Sequence, residues 1–304
     1  MMVATAPRAR SIARQLQQSL RARPFAGSVA GRSVRACNLV DDAGRVIALA
    51  TPAIGNGPFC IVLDAIGDLF EALEPQQPAR VDAEQIAIGS WSIALRDARA
   101  WDATLPGGER ALHLAPALAA ILQPYARWPP PETDTPWASS MARLLAQGAR
   151  ALLEALEQRA GMAEAAQSLA GLGSGLTPAG DDFLLGTIAA LWLLGEREAT
   201  PTIARAGAAR TTALSGAFLT AAAQGQFIEP WHDLALALHG QDEACSREAL
   251  LRIAAYGASS GRDALAGFTA TLLRHAHPGE EIMLSAAPRS TPPGVRPPDR
   301  RPLA

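Results

Sequence analysis

The stretch GLGSGLTPAGDDFLLG, residues 171–186, joins a glycine-rich loop to the start of an apolar segment. Its glycines permit positive φ angles or close backbone approach. Thr177 and Pro178 fit an N-cap threonine followed by a proline in the first helical position, which predicts a helix start at this point. The unpaired N–H groups and the positive dipole end of a helix start attract phosphate or carboxylate groups. This stretch is therefore the first candidate for a binding site.

A second stretch repeats the pattern of the first. Residues 180–186 (GDDFLLG) and 261–267 (GRDALAG) share the pattern G-x-D-x-L-x-G at an offset of 81 positions. The loop before the second stretch, residues 256–261, offers hydroxyl groups where the first loop offers Thr177. If the two helix starts converge, Asp182 and Asp263 could carry out proton transfer or hold a divalent cation such as Mg²⁺ through oxygen ligands.

Two structural interpretations of the same residues stay open. Acidic residues in the first turn of a helix stabilise its dipole by about 0.3–1 kcal/mol without doing any chemistry. The shared glycines are also typical of two helices that pack closely, an arrangement that needs no ligand.

The composition excludes several kinds of anion site. All 27 basic residues are arginine, so a P-loop lysine and an internal Schiff base to pyridoxal phosphate are both excluded. The glycine loop is not a dinucleotide fingerprint either, because Leu176 occupies the place of its last glycine. A formal net charge of -2 argues against a nucleic-acid partner. We therefore expect a small anionic substrate, a carboxylate or a phosphate.

The chain predicts an α+β fold with a β-rich part in front and a helical part behind. We expect a β-rich domain at 1–127, a small sheet or barrel with an N-terminal helix near 9–20. A proline-rich linker follows at 128–136. A helical domain at 137–284 carries the glycine-rich loop, and 285–304 is predicted to be a disordered tail. Helical patterns lie near 138–159, 181–195, 201–224, 231–239, 243–256 and 262–275.

Three scattered cysteines and the absence of an apolar leader predict reduced thiols and a cytoplasmic location. The longest apolar stretch, residues 183–194, is too short to span a bilayer. We therefore expect no membrane contact.

Beyond these patterns, the chain resembles the AllH-type family, whose members include a subunit of oxamate carbamoyltransferase in anaerobic allantoin breakdown. The resemblance spans most of residues 25–275 and is strongest at 171–186. Weaker elements are 34–39 with Asn38, the turn at 55–58, and segments 215–225 and 257–267. It implies transfer of a carbamoyl group between phosphate and oxamate, exchanging with oxalurate, performed together with other subunits.

The resemblance also marks two departures from the family pattern. Ala258 occupies a position where the family has histidine, and Ala179 one where serine is frequent. An alternative function is therefore a non-catalytic subunit that binds a metabolite or scaffolds its partners.

The candidate site residues come from both lines of reasoning. Asp182 and Asp263 are the predicted groups for proton or metal chemistry. Arg262 would neutralise the anion, and Asn56 would close the site from the other domain. The predicted anion-binding residues are Asn56, Gly57, Gly173, Thr177, Gly180, Asp181, Ser215, Ser259, Ser260, Gly261 and Arg262.

Overall fold

Alternating exposed and buried residues build one nine-stranded sheet from the first third of the chain. The computed structural model describes residues 7–64, 69–106, 116–129 and 136–279. The sheet curls into a half-barrel with the strand order β8-β7-β6-β2-β3-β4-β5-β1-β9. The strands are β1 (Arg8–Ala13), β2 (Phe25–Arg32), β3 (Ala36–Asp41), β4 (Val46–Ala50), β5 (Cys60–Asp64), β6 (Pro78–Val81), β7 (Gln85–Ile88), β8 (Trp91–Ala94) and β9 (Arg99–Trp101).

The two faces of this sheet have different neighbours. Cys37, Leu39 and Leu49 belong to the main core of the sheet, which also contains Leu16 and Leu20. The intervening residues of β4 and β5 point the other way and form a smaller apolar cluster of Ala50, Cys60 and Val62, with Ala48 and Ile54 packed against it. Burial, with the Glu229 carboxylate nearby, raises the pKa of Cys60 to about 12. Since Glu229 lies in the helical part, this second face is turned toward the helices.

The predicted helix near 9–20 is wrong in its first turn. Residues Arg8–Ala13 form β1, which pairs antiparallel with β5 and parallel with β9. Arg8 and Arg10 are exposed while Ala9 and Ser11 are buried, the period of two that a strand requires. The helix α1 begins only at Arg14 and ends at Ala22.

The described part of the chain contains ten α-helices, nine of them after the sheet, which confirms the predicted α+β class. The predicted helix at 201–224 is in fact two helices, because Thr212 caps the second by accepting a hydrogen bond from the Ser215 N–H at 3.1 Å. The helix α4 was not predicted. The nine are α2 (Pro116–Leu122), α3 (Pro136–Gln158), α4 (Met162–Leu169), α5 (Ala179–Leu194), α6 (Thr200–Ala208), α7 (Ala213–Ala223), α8 (Glu229–Gly240), α9 (Glu243–Ala254) and α10 (Ser260–Ala276).

Part of the predicted linker and all of the predicted tail fall on residues whose structure is not described. Residues 130–135 of the predicted linker and all of the predicted tail lie outside the described ranges. Trp128 and Pro129, at the start of the predicted linker, are buried. No helix among the described residues is both long enough and apolar enough to cross a membrane.

Helices α5 and α10 are the most closely packed pair of the helical part. A Cβ added to Gly186 would lie 1.7 Å from the Ala264 carbonyl oxygen, and one added to Gly267 would lie 2.0 Å from that of Phe183. Both contacts are therefore possible only with glycine.

These two contacts are reciprocal in the repeated motif. At the offset of 81 positions, Gly186 corresponds to Gly267 and Phe183 corresponds to Ala264. The contact of Gly186 with Ala264 is therefore equivalent to the contact of Gly267 with Phe183. The preceding helices α4 and α9 begin at the same offset, at Met162 and Glu243. A helix–loop–helix unit thus occurs twice, at 162–194 and at 243–275. The interpretation of the glycines as helix contacts is confirmed, and the same contacts align the two helix starts.

Candidate active site

The two predicted helix starts meet. Thr177, just before α5, and Ser260, the first residue of α10, share a hydrogen bond of 2.7 Å between their hydroxyl oxygens. This contact joins residues 83 positions apart and brings the two loops together at one end of the helix pair. The convergence predicted from the repeated motif is therefore confirmed.

The predicted N-cap at Thr177 is wrong. Pro178 occupies the N-cap position of α5, and the helix begins at Ala179. Pro178 has φ -56° and ψ 145°, which is an extended and not a helical conformation, so the helix starts one residue later than the pattern indicated. The Thr177 hydroxyl is consequently available for Ser260.

The backbone N–H groups of the two motif glycines are already paired. The N–H of Gly180 donates to the Leu172 carbonyl at 2.9 Å, and that of Gly261 donates to the Tyr256 carbonyl at 3.0 Å. Neither N–H group can bind an anion in this conformation. The Thr177 and Ser260 hydroxyls lie beside Asp182 and hydrogen-bond to it.

Asp182 is the most unusual polar group at this place. It is 5% exposed, and its Oδ2 atom is buried without a hydrogen-bond partner among the described residues. Burial, and then the neighbouring Asp263 carboxylate, raise the pKa of Asp182 well above its usual range. Hydrogen bonds from the Ser260 and Thr177 hydroxyls lower the pKa of Asp182, but each has a smaller effect than these two. The arrangement favours a neutral carboxylic acid, which can donate a proton.

A small cavity adjoins Asp182. Its volume is about 40 Å³, and Thr177, Ser260 and Tyr256 are the lining residues with hydroxyl groups. Its walls are mainly apolar and aromatic, including Phe218, Phe227, Trp231 and Tyr256. A water occupies a share of about 30 Å³ in the liquid, so this space admits a water or the reacting end of a ligand. The cavity is too small for a whole metabolite.

Asp263 has a partner that the sequence analysis missed. The indole N–H of Trp128 donates to Asp263 Oδ1 at 2.7 Å in a fully buried contact. The Trp128 ring also packs on Phe183, with 4.6 Å between the ring centroids. The available signal was a tryptophan inside a stretch assigned as a linker, since a buried indole N–H requires an acceptor.

A second cavity of about 40 Å³ adjoins Asp263. Gly173 and Ser174 of the first loop and Ser259 of the second contribute to its lining, together with Trp137. Two of the predicted anion-binding residues, Gly173 and Ser259, are therefore placed beside Asp263. The two aspartates of the repeated motif each line a cavity of their own.

Asp181 and Ser215, both predicted to bind the anion, lie together and take part in hydrogen bonds within the protein. Asp181 accepts hydrogen bonds from the Gly171 N–H at 2.9 Å and from the Thr211 hydroxyl. The Ser215 hydroxyl contributes a further hydrogen bond to the same carboxylate. Burial raises the pKa of Asp181, and these three donors act against the rise. This carboxylate ties the glycine-rich loop to the turn before α7.

Asn56 and Gly57 connect the sheet to the helical part. The Asn56 Oδ1 accepts from the Ser11 hydroxyl at 2.6 Å, and its Nδ2 and backbone N–H both donate to Glu229 Oε2, at 2.9 and 3.0 Å. A Cβ on Gly57 would lie 3.3 Å from Ile228, a residue that lines the Asp182 cavity. The polar groups of Asn56 are thus occupied by protein partners near the site.

The remaining predicted residues lie at the surface of the site. Arg262 is exposed. Burial raises the pKa of Tyr125, and the nearby positive charge of Arg262 partly offsets that rise. Ala258 is exposed in the loop before Ser259.

The side chains at this site are better suited to proton transfer than to binding a metal ion. No cluster of three or more His, Cys, Asp or Glu side chains is present in the described ranges. Mg²⁺ requires about six oxygen ligands in near-octahedral geometry. Asp182 and Asp263 offer two carboxylates, and one oxygen of Asp263 already accepts the Trp128 N–H. We therefore assign no metal role to this pair.

Two family models match the chain over both of its structural parts. The model described as oxamate carbamoyltransferase subunit AllH matches residues 169–272, and the model of the AllH family N-terminal domain matches residues 8–100. The chain belongs to the AllH family. The first match contains both copies of the G-x-D-x-L-x-G motif, and the second covers nearly all of the sheet. No curated protein and no solved structure matches the chain. The AllH resemblance predicted from the sequence is confirmed.

Proposed function

We propose that this chain supplies the acid–base pair for carbamoyl transfer between phosphate and oxamate in an oxamate carbamoyltransferase complex. The family description names a subunit of that enzyme. The observation that carries the proposal is the buried, unpartnered Oδ2 of Asp182 beside Asp263, where two helix starts converge.

In the direction of oxalurate breakdown, a phosphate oxygen attacks the carbamoyl carbon. The bond between this carbon and the oxamate nitrogen breaks, and a carbon–oxygen bond to phosphate forms. The departing nitrogen needs one proton to leave as the amide of oxamate. Asp182 is suited to donate this proton, because burial and its neighbour Asp263 raise its pKa and so favour its protonated form.

The surrounding residues would orient the groups that react. Trp128 fixes the Asp263 carboxylate, which disfavours ionisation of Asp182 by like-charge repulsion. The Thr177 and Ser260 hydroxyls bond to each other and to Asp182, so they would have to turn from these partners to donate to an anionic oxygen in the Asp182 cavity. The exposed Arg262 would neutralise charge at the edge of the cavity.

The test is phosphate-dependent loss of oxalurate, measured on the purified chain alone and together with its partner subunits. Asp182→Asn and Asp263→Asn should each lower kcat by about 100-fold or more, the usual contribution of a positioned acid or base. Asp97→Asn changes the same functional group at an exposed position and should leave kcat unchanged. Wild-type kcat in both site variants would overturn the assignment.

A second function is favoured by one specific observation, the alanine at position 258. If the family histidine carries the chemistry, this chain would bind a metabolite or scaffold its partners without turning over substrate. Oxalurate binding by the chain, with no turnover by the assembled complex, would support this second function and contradict the first.

A further inference from the structure

Tyr256 lies at the Asp182 cavity, in the loop between α9 and α10. Both of its backbone groups are paired there. Its N–H donates to the Ile253 carbonyl at 2.9 Å, and its carbonyl accepts from the Gly261 N–H at 3.0 Å. A Cβ added to Gly261 would lie 1.7 Å from the Ile253 oxygen, so the end of α9 packs directly on the start of α10. The second copy of the repeated motif therefore fixes the position of Tyr256.

The Tyr256 side chain brings a third hydroxyl group to this cavity, beside those of Thr177 and Ser260. Burial raises the pKa of Tyr256, and the neighbouring Cys60 thiol and Asp182 carboxylate raise it further. A phenol whose pKa lies above its ordinary value of about 10 keeps its proton at neutral pH. Tyr256 is therefore a neutral hydrogen-bond donor close to Asp182.

The three hydroxyls differ in their partners. Those of Thr177 and Ser260 bond to each other and to Asp182. No hydrogen bond of the Tyr256 hydroxyl is found among the described residues, although burial desolvates it. A desolvated hydroxyl without a partner is costly in a folded protein unless a ligand or a water supplies the acceptor. The Tyr256 hydroxyl is thus a donor at this cavity that can meet a ligand without giving up a bond.

The proposed reaction requires such a donor at the carbonyl group. When a phosphate oxygen attacks the carbamoyl carbon, the π electrons of the carbonyl move to its oxygen, which becomes an anion. The pair returns to the carbonyl as the bond to the oxamate nitrogen breaks, and Asp182 gives its proton to that nitrogen. Hydrogen phosphate releases one proton as it becomes an ester, which balances the proton taken from Asp182. A preorganised donor that faces the developing anion in an apolar cavity lowers the barrier.

We propose that the Tyr256 hydroxyl is the oxyanion donor of this site, bonding to the carbamoyl carbonyl oxygen while Asp182 protonates the departing nitrogen. The inference rests on the proposed function and adds a catalytic residue to it. Arg262 is exposed and lies outside the cavity lining, so the phenol is better placed than this cation to meet the carbonyl oxygen. The first motif would then supply the acid, and the loop before the second would supply the donor.

The experiment compares two substitutions that each remove one phenolic hydroxyl. Tyr256→Phe keeps the ring, and Tyr125→Phe is the matched control, since Tyr125 is the other tyrosine of the chain and does not line the cavity. In the assembled complex, Tyr256→Phe should lower kcat for phosphate-dependent oxalurate breakdown by about 100-fold or more, the usual effect of losing an oxyanion donor. KM should change by less than roughly three-fold, because the bond strengthens mainly in the transition state. Tyr125→Phe should keep wild-type kcat.

A measurement without turnover tests the contact itself. Oxalurate that is isotope-labelled at the carbamoyl carbonyl carbon is added to the chain in the absence of phosphate, and the resonance of this carbon is followed by NMR. A donor to the carbonyl oxygen moves the resonance downfield. The shift should be present with the wild-type chain and Tyr125→Phe, and smaller with Tyr256→Phe. The melting temperature of Tyr256→Phe should equal or exceed that of the wild-type chain, because its hydroxyl loses no protein partner.

The outcomes separate this inference from the proposed function. Wild-type kcat in Tyr256→Phe, an equal resonance with the wild-type chain and Tyr256→Phe, or a Tyr256→Phe chain that does not fold would overturn the donor role. Loss of kcat in Tyr256→Phe, with wild-type kcat in both Asp182→Asn and Asp263→Asn, would support the donor and contradict the acid–base pair. A resonance that depends on Tyr256, in a complex without turnover, would support the contact and contradict the proposed turnover.

Discussion

Trp128 and Asp263, 135 positions apart in the sequence, meet in a buried hydrogen bond of 2.7 Å. Trp128 lies in the segment that follows α2, and Asp263 lies in the first turn of α10. The contact fixes one carboxylate of a close pair, while Oδ2 of the other carboxylate, Asp182, lacks a partner among the described residues. This asymmetry between two residues of one repeated motif underlies the proposed division of roles.

Replacing Trp128 with phenylalanine should remove the donor and keep most of the ring. A buried acceptor left unsatisfied costs about 1–3 kcal/mol, so we expect a loss of that size in the free energy of unfolding, measured by urea titration. Turnover should fall as well, because the Asp263 carboxylate loses its fixed position. Trp91→Phe is the control, since no hydrogen bond of its indole is found in the described structure. Equal stability of Trp128→Phe and the wild-type chain would contradict this role.

The close contact of α5 and α10 predicts that alanine is not tolerated at its glycines. Gly186→Ala and Gly267→Ala would each place a methyl group within 2.0 Å or less of a carbonyl oxygen. Overpacking of this kind costs about 1–3 kcal/mol and occasionally more, so we expect melting temperatures to fall. Gly240→Ala is the matched control, because nothing lies within 4 Å of its added Cβ. A melting temperature equal to that of the control would show that the helices can separate without cost.

Asp182 should make stability depend on pH. Burial, followed by the neighbouring Asp263, raises its pKa in the folded chain. The folded state therefore holds this proton more tightly than the unfolded state. The stabilisation is complete below the unfolded pKa and is lost as the pH rises through the folded pKa.

The Asp182→Asn variant isolates this contribution, because it has no proton to lose. As the pH rises from about 4, the wild-type chain should lose more stability than the variant, as measured by urea midpoints at each pH. Other titrating groups, including Asp181, are common to both proteins. Parallel pH profiles for the two chains would contradict the raised pKa.

Glu229 should stabilise the contact between the sheet and the helical part. Its Oε2 accepts two hydrogen bonds from Asn56. Glu229→Ala leaves both donors unpaired and should cost about 1–3 kcal/mol. Glu229→Gln keeps one carbonyl oxygen as an acceptor and should retain most of the stability. Urea unfolding of both variants measures their free energies of unfolding, and Glu229→Ala should lose more than Glu229→Gln. Equal losses would show that the negative charge of Glu229 contributes more than its ability to accept hydrogen bonds.

The parts of the fold and site that were predicted are those with a local or repeated pattern. Residues 180–186 and 261–267 share a motif, and that repetition was the reason to expect that the two helix starts could converge. Trp128 could not be paired with Asp263 in advance, because the contact joins distant segments and its flanking prolines favoured a linker. The partners of Asn56 were missed for the same reason, since Glu229 follows 173 positions later. The first strand was missed despite its alternation, because the residues that follow it are strong helix formers.

The reciprocal contacts of the two repeated motifs, Gly186 with Ala264 and Gly267 with Phe183, have a consequence for how the site can vary. A contact of this kind is what two identical subunits make in a dimer, where every substitution appears on both sides of the axis. Here both motifs belong to one polypeptide, so each can carry substitutions that the other does not share. Asp263 accepts the Trp128 N–H, whereas Asp182 Oδ2 has no partner among the described residues. A single chain can therefore place the aspartates of one repeated motif in unequal surroundings.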